Sequence, residues 1–328
     1  MHVRYLVKDL INIQAHWLML SAQRGRKSKM ENIKSKIKGS LYGFAIGDAM
    51  GATTEFMKKE SIKKKYGKVT DIIGGGWLNL NQGEVTDDTQ MMLCVCDAIE
   101  YGFGDKRIWS YHDFKSKDEA MLTKCCDNFI KWYNTNPPDI GGCCSNVISH
   151  FVNAPSGNIC PGNWEMYSYD PHSLGNGSLM RTLPIILSGQ TEDLAMLQGR
   201  LTHNNNICDI AIELYYKNVD ELLYNNTYMN VANNLVEPTG HVIHTLNNAL
   251  YWVQHTDTLE DSIICAVNHG GDADTIAAIT GSLAGSLYGY DAIPQRWIEQ
   301  LSQDVKVELD KYAKLFEKIN KKVCTNTK

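Results

Sequence analysis

The stretch DADTIAAITGSLAGSLYG, residues 272–289, is an apolar helix pattern in which Gly281, Gly285 and Gly289 recur at every fourth residue. A four-residue step puts such positions nearly on one face of an α-helix. Inside a helix each glycine costs about 1 kcal/mol against alanine, so a repeated stripe implies an offsetting gain, most simply close backbone approach to another element. The same device occurs near the other end. Between Ile33 and Met57 a second helix pattern carries glycines at 39, 43, 47 and 51, and GSLYG occurs at both 39–43 and 285–289. These two helices are expected to be central and tightly packed. The echo is too short for a duplicated domain.

Outward from this pair, most of the chain reads as helix. MMLCVCDAIEYG, KDEAMLTKCCDNFIKWYN, EDLAMLQGRLTH, DIAIELYYKNVDELLYNN, VIHTLNNALYWVQH and IEQLSQDVKVELDKYAKLFEKINKK each place apolar residues at three- and four-residue steps. VTDIIGGGW, residues 69–77, is the best strand candidate. Segments 74–83, 134–145, 155–176 and 237–240 are rich in Gly, Pro, Asn and Ser and read as loops, which often carry function on a helical scaffold. No linker marks a second domain, so the expectation is one all-α domain over residues 31–328 behind a basic N-terminal extension, residues 1–30. That extension is read as a mobile or alternative-start segment, because it lacks a clean apolar core with a cleavage site.

The chain has 328 residues, long enough to bury a sizeable core without disulfide or metal staples. A formal charge of −5 argues against a nucleic-acid partner held by one strong basic field. No apolar run approaches the roughly 18 to 20 residues that span a bilayer. None of the ten cysteines forms a CxxC pair, and adjacent pairs such as Cys125, Cys126 and Cys143, Cys144 suit reduced thiols. A reducing, cytoplasmic compartment is expected.

Two acidic clusters carry the chemistry. Thr86, Asp87, Asp88 and Thr89 open one helix; Asp272, Asp274 and Thr275 open another, and both follow glycines. Capping and complementing the helix dipole would use one or two of these residues. Four aspartates exceed that need. If the two helix ends meet, the carboxylates repel one another unless cations neutralise them, and all-oxygen ligands favour Mg²⁺, Mn²⁺ or Ca²⁺ over zinc. Four carboxylates suit two divalent ions. An EF-hand is excluded, because no twelve-residue loop with its glycine and terminal Glu is present.

The motifs GDAMGATTEF from Gly47, TDDTQM from Thr86, GNGSLMR from Gly175, THNNN from Thr202 and NHGGDADT from Asn268 occur in the order and approximate spacing of the ADP-ribosylglycohydrolase family. The chain resembles that family from about Ile33 to Trp297. The resemblance implies a compact single-domain, all-α orthogonal helical bundle. It also implies a monomer with a binuclear Mg²⁺ or Mn²⁺ centre that cleaves the bond between ADP-ribose C1″ and an acceptor, in an ADP-ribosylated protein or a small ADP-ribose conjugate. By the same resemblance Thr86, Asp87 and Asp88 match one set of metal ligands, Asp272, Asp274 and Thr275 the other, and Asp274 bridges.

Glu55, in the GDAxGxxxEF context, becomes the candidate for positioning or activating the attacking water. Gly175, Asn176, Gly177 and Ser178 form a small-residue loop suited to donating backbone N–H groups to a diphosphate. Arg181 either reaches a phosphate or holds that loop by an internal salt bridge. His203 is a ligand-lining or supporting residue, or a satisfied core histidine. PPDIGG, residues 137–142, resembles a segment of the dinitrogenase reductase-activating branch, so Asp139 is a candidate at the scissile bond, or a turn residue. Cys143 and Cys144 depart from that branch. Aromatic residues in 162–169 either stack on adenine or pack. The expected activity is removal of ADP-ribose from arginine. Serine-linked ADP-ribose, O-acetyl-ADP-ribose and a non-catalytic, crystallin-like relative are the alternatives; the last is disfavoured by six intact ligand positions.

Overall fold

A computed structural model describes residues 32–104, 110, 114–152, 160–229 and 231–326, with side chains to residue 320. The basic extension of residues 1–30 lies outside the described residues. The two glycine-striped segments form α1, residues 32–51, and α12, Ala273–Tyr288, which run antiparallel with their stripes in contact. A Cβ at Gly39 would stand 2.6 Å from the Gly289 carbonyl carbon, and one at Gly51 would stand 2.5 Å from Asp274 Cα. Between those ends Gly43 and Gly281 face each other, and a methyl on either would collide with the other's carbonyl. The stripe's cost in helix propensity is thus offset by backbone contact that no other residue permits.

Every residue from Ala273 to Ser286 is buried, so α12 is the centre of the molecule. Around it pack α9 (Asn206–Tyr224), α10 (Val242–Gln254) and α11 (Leu259–Val267). α3 (Asp87–Phe103) lies against α4 (Lys117–Tyr133) and touches α12. The long amphipathic α14 (Gln303–Asn326) closes the far side against α3 and α7 (Leu183–Leu187), and Asp310 on it accepts a 3.0 Å bond from Tyr42 Oη. Helix starts are set locally, with Ser116, Thr191, Asn205 and Thr258 each accepting a first-turn N–H from α4, α8 (Glu192–Arg200), α9 and α11. Among the described residues no helix is long and apolar enough to cross a membrane.

Two local expectations change. The strand candidate at 69–77 is a loop. Its polar backbone is satisfied by side chains, Val69 N–H by Asn268 Oδ1 at 2.9 Å and Ile72 N–H by Gln300 Oε1 at 3.0 Å, and Gly74, Gly75 and Gly76 all take positive φ, which ends any extended run. Conversely, part of the segment 155–176 read as loop forms α6 (Pro161–Tyr167), with proline at its start and Trp164 fully buried, stacked at 4.8 Å on Phe151. Likewise α5 (Gly142–Val152) begins inside the segment 134–145.

Candidate functional site

The amino-terminal ends of α3 and α12 meet. Thr86 caps α3, its Oγ1 accepting from Asp88 N–H at 3.3 Å, so one residue does the capping and both aspartates are free for another use. Asp272 occupies the cap position of α12 but makes no capping bond; its Oδ2 accepts instead from Asn176 Nδ2 at 2.5 Å. Thr275 Oγ1 donates to Asp88 Oδ2 at 3.1 Å and ties the two helix ends together. Glu55 enters from the turn after α1, and carboxylate oxygens of Glu55, Asp272 and Asp274 lie within 4.8 Å of one another. These acids, with Asp87 and Asp88, line a cavity of about 360 Å³. Glu55, read from sequence as an acid beside the water, is therefore also close enough to share a cation with Asp272 and Asp274.

Sequence reasoning passed over Asp48. It lies fully buried in α1 and receives the whole TDDT turn: Oδ1 accepts from Thr86 Oγ1 at 2.8 Å, and the carboxylate also accepts from Thr86 N–H at 3.1 Å, Thr89 N–H at 3.0 Å and Thr89 Oγ1. Its signal was an acid inside the otherwise apolar run FAIGDAMGA, residues 44–52. Four donors on two oxygens require a carboxylate, and the bond from Thr86 turns that hydroxyl's lone pairs away from Asp48. Asp48→Asn exchanges one acceptor oxygen for a donating NH₂ group facing N–H or O–H donors. We expect it to weaken Mn²⁺ binding by roughly 10- to 100-fold, the usual cost of losing a group that orients a ligand, with helical content retained. Titration calorimetry and circular dichroism check both halves.

Burial and mutual repulsion hold these carboxyls above their ordinary range. Burial, then the charges of Asp272, Asp139 and Asp87, push Glu55 up to about 8 despite a 2.6 Å bond from Trp77 Nε1. Asp87 is raised to about 7 by burial and Asp139, and Asp272 to about 6 by burial first. Asp88 and Asp274 are raised well above the usual value, by burial and then by Asp48 and Glu55 respectively. No ion pair among the described residues reaches any of these acids. The Asp88 Oδ1 atom is buried and has no hydrogen-bond partner. An all-oxygen donor set with an orphaned carboxylate oxygen fits hard divalent cations, and Glu55, Asp87, Asp88, Asp272 and Asp274 are placed to hold them.

A pH dependence follows. From about pH 7 to about pH 8.5 the unfolded chain has ionised carboxylates and neutral histidines, whereas the cation-free folded state retains protons on the raised acids. The folded state then binds more protons than the unfolded state, so stability falls as pH rises. The melting temperature in EDTA should drop across this window, and saturating Mg²⁺ should flatten the profile, because the cation replaces the retained protons. Differential scanning calorimetry at stepped pH tests this; a melting temperature in EDTA that rises with pH contradicts it.

The remaining sequence candidates divide. Asp139, half-buried and raised by its burial, lines the cavity, and Gly141 N–H of the same loop reaches Asp87 Oδ2 at 3.4 Å. Gly175, Asn176, Gly177 and His203 also line it, but Ser178 is fully buried away from it. The backbone N–H of Asn176 is bonded to the Gly240 carbonyl at 3.0 Å, so that donor does not face the cavity freely. Gly177 admits no side chain, since a Cβ there would stand 2.9 Å from His203 Cε1 and 3.0 Å from Cys144 Sγ.

Among the described residues Arg181 forms no salt bridge. Fully buried over the Phe129 ring, it donates to the Gly177 carbonyl at 2.8 Å, Thr202 Oγ1 at 2.7 Å and Gln198 Oε1 at 2.5 Å, which supports the loop from behind. Thr202 Oγ1, accepting from Arg181, is also hydrogen-bonded to His203 Nδ1 at 2.8 Å, and the other ring nitrogen, Nε2, lies beneath the Gly175 to Gly177 loop. Burial and the Arg181 charge lower His203 to about 3, so it works as a neutral group. The aromatic segment 162–169 does not line the cavity: Trp164 is in the core, Tyr167 stacks at 3.8 Å on His150, and Tyr169 is exposed.

A family model described as ADP-ribosylglycohydrolase matches residues 29–232 and 211–324. The chain is 32% identical over 298 residues to the ADP-ribosyl-[dinitrogen reductase] glycohydrolase of Rhodospirillum rubrum, covering 84% of this chain and 93% of that protein. It is 28% identical over 300 residues to the ADP-ribosylarginine hydrolase Tri1 of Pseudomonas putida (strain GB-1), covering 83% of this chain and 76% of that one. A solved structure described as an ADP-ribosylglycohydrolase-related protein complex superposes with a TM-score of 0.69 at 25% identity, over 88% of this chain and 99% of that one.

Proposed function

The chain belongs to the ADP-ribosylglycohydrolase family, an enzyme family of the glycosidase type, and from that premise we propose that it removes ADP-ribose from modified arginine in proteins. The observation that carries the reading is the convergence of Glu55, Asp87, Asp88, Asp272 and Asp274 on one cavity, with the acid of the PPDIGG loop, Asp139, beside them. A relative whose name specifies ADP-ribosylarginine supports the arginine linkage.

Thr86, Asp87 and Asp88 from one helix end and Asp272, Asp274 and Thr275 from the other would hold two Mg²⁺ or Mn²⁺ ions, with Glu55 adjoining the second set. When bound, such ions supply charge neutralisation and the Lewis acidity that readies a water for attack. The protein's own groups do the rest. Glu55 orients or deprotonates the attacking water, with one oxygen fixed by Trp77. Asp139 faces the leaving group and stabilises positive charge as the bond to C1″ breaks with oxocarbenium character. Gly175, Asn176 and Gly177 form the wall for the diphosphate and ribose, backed by neutral His203. The described cysteines are free thiols, which supports a reducing, cytoplasmic setting.

Matched ADP-ribosylated arginine and serine peptides, assayed with Mg²⁺ and with Mn²⁺, test the linkage. Faster release from arginine is expected with either ion. Preferential release from serine with both ions would overturn the assignment.

A further inference from the structure

Two large aromatic side chains stand outside the core at the edge of the cavity. Phe56 is 67% exposed and lines the cavity, and Trp77 is 47% exposed with its ring centroid 5.5 Å from that of Phe56, tilted by 46°. Neither position is incidental. Phe56 has φ 59°, a left-handed backbone that a bulky residue seldom adopts, held by its N–H donating to the Gly271 carbonyl at 2.7 Å. Trp77 follows Gly74, Gly75 and Gly76, all of positive φ; a Cβ at Gly76 would collide with the Ala52 carbonyl. The glycine loop thereby presses the indole onto the turn after α1, where Nε1 bonds Glu55 Oε2 at 2.6 Å. Backbone strain and close packing are thus combined to keep two hydrophobic rings in solvent, which points to a ligand that covers them.

The surroundings specify its chemistry. Ring faces are negative, and the carboxyls of Glu55 and Asp139, close enough for their charges to interact, lie in the same cavity. A neutral purine can stack on the rings and donate its amino group to a carboxylate, but it carries no charge to match the acids. A planar cation satisfies both features, and a guanidinium stacks on aromatic faces while donating to carboxylates. We propose that Phe56 and Trp77 form an aromatic ledge that receives the guanidinium side of the modified arginine and so selects the acceptor. The proposal rests on the arginine linkage inferred above and adds the residues that recognise the acceptor.

The test uses Phe56→Ala and Phe56→Tyr in the Mg²⁺-loaded protein. For an ADP-ribosylated arginine peptide, Phe56→Ala should raise KM about tenfold, equivalent to about 1.4 kcal/mol, with kcat little changed, and Phe56→Tyr should restore the wild-type KM. The affinity for ADP-ribose, measured by calorimetry, should not move. Agmatine, a free guanidinium probe followed by saturation-transfer NMR, should bind wild type and be lost in Phe56→Ala. An ADP-ribose affinity that falls together with KM would assign the ledge to the nucleotide and overturn the proposal, as would wild type that does not bind agmatine, or equal losses in both variants. Wild type that cleaves only serine-linked substrate, yet binds agmatine through Phe56, would overturn the arginine linkage while supporting a cation site on the ledge.

Discussion

Asp274→Ala should abolish divalent-cation binding between the two helix ends and lower ADP-ribose release by at least about a hundredfold, since even groups that only orient metal ligands cost up to that much. The cation-free variant should nevertheless unfold at the same temperature as wild type or higher. Asp274 is buried among Glu55, Asp88 and Asp272, and each of these disfavours its ionised form. In the absence of a cation each of the four acids must either repel its neighbours or hold a proton it would give up in water, so removing one relieves a cost in the same place where it removes function. Cation titration by calorimetry, thermal unfolding in EDTA and a single-turnover assay separate the two effects. Full turnover by Asp274→Ala, or by wild type in excess EDTA, would contradict the metal assignment.

The second large effect is on stability. Gly43→Val should yield little folded protein, with a loss of about 3 kcal/mol or more, because overpacking a tight interface displaces backbone rather than a flexible side chain. At Gly43 the first atom met is the Gly281 carbonyl, and Gly281 meets the Gly43 carbonyl in return, so one methyl forces apart the pair of helices on which the site depends. Gly162 is the control. A Cβ there meets nothing within 4 Å and its φ is not positive, so Gly162→Ala should not destabilise the protein and, lying within α6, should gain at most about 1 kcal/mol. Chemical denaturation of both variants reads the contrast. If Gly43→Val unfolded like Gly162→Ala, α1 and α12 would not be the rigid centre of the fold.

Most helices were legible because an apolar period of three and four residues is a local property, present in α3, α4, α8, α9, α10 and α14 before any contact is known. The glycine stripes were legible for the same reason, and a four-residue spacing even indicated that two helices would touch. The loop at 69–77 was misread as a strand because β-branched residues precede three glycines, whereas its backbone is satisfied largely by side chains distant in sequence, among them Asn268, Gln300 and Trp297. The acids at 86–88 and 272–275 announced themselves as more charge than capping needs.

Sequence by itself thus determined the helices, the face on which α1 and α12 approach, and, through motif order, the family. Tertiary structure alone decided which groups share the cavity. Asp48 takes hold of the TDDT turn, Trp77 fixes Glu55, and Asn176 turns Asp272 away from its cap, across separations of 38, 22 and 96 residues. It also placed Arg181 behind the loop with neutral acceptors and withdrew Ser178 from the cavity. The physical reason is that periodicity records the direction a side chain leaves its own helix, whereas convergence depends on how closely the helices dock, and here docking is governed by bare backbone at the glycine stripe.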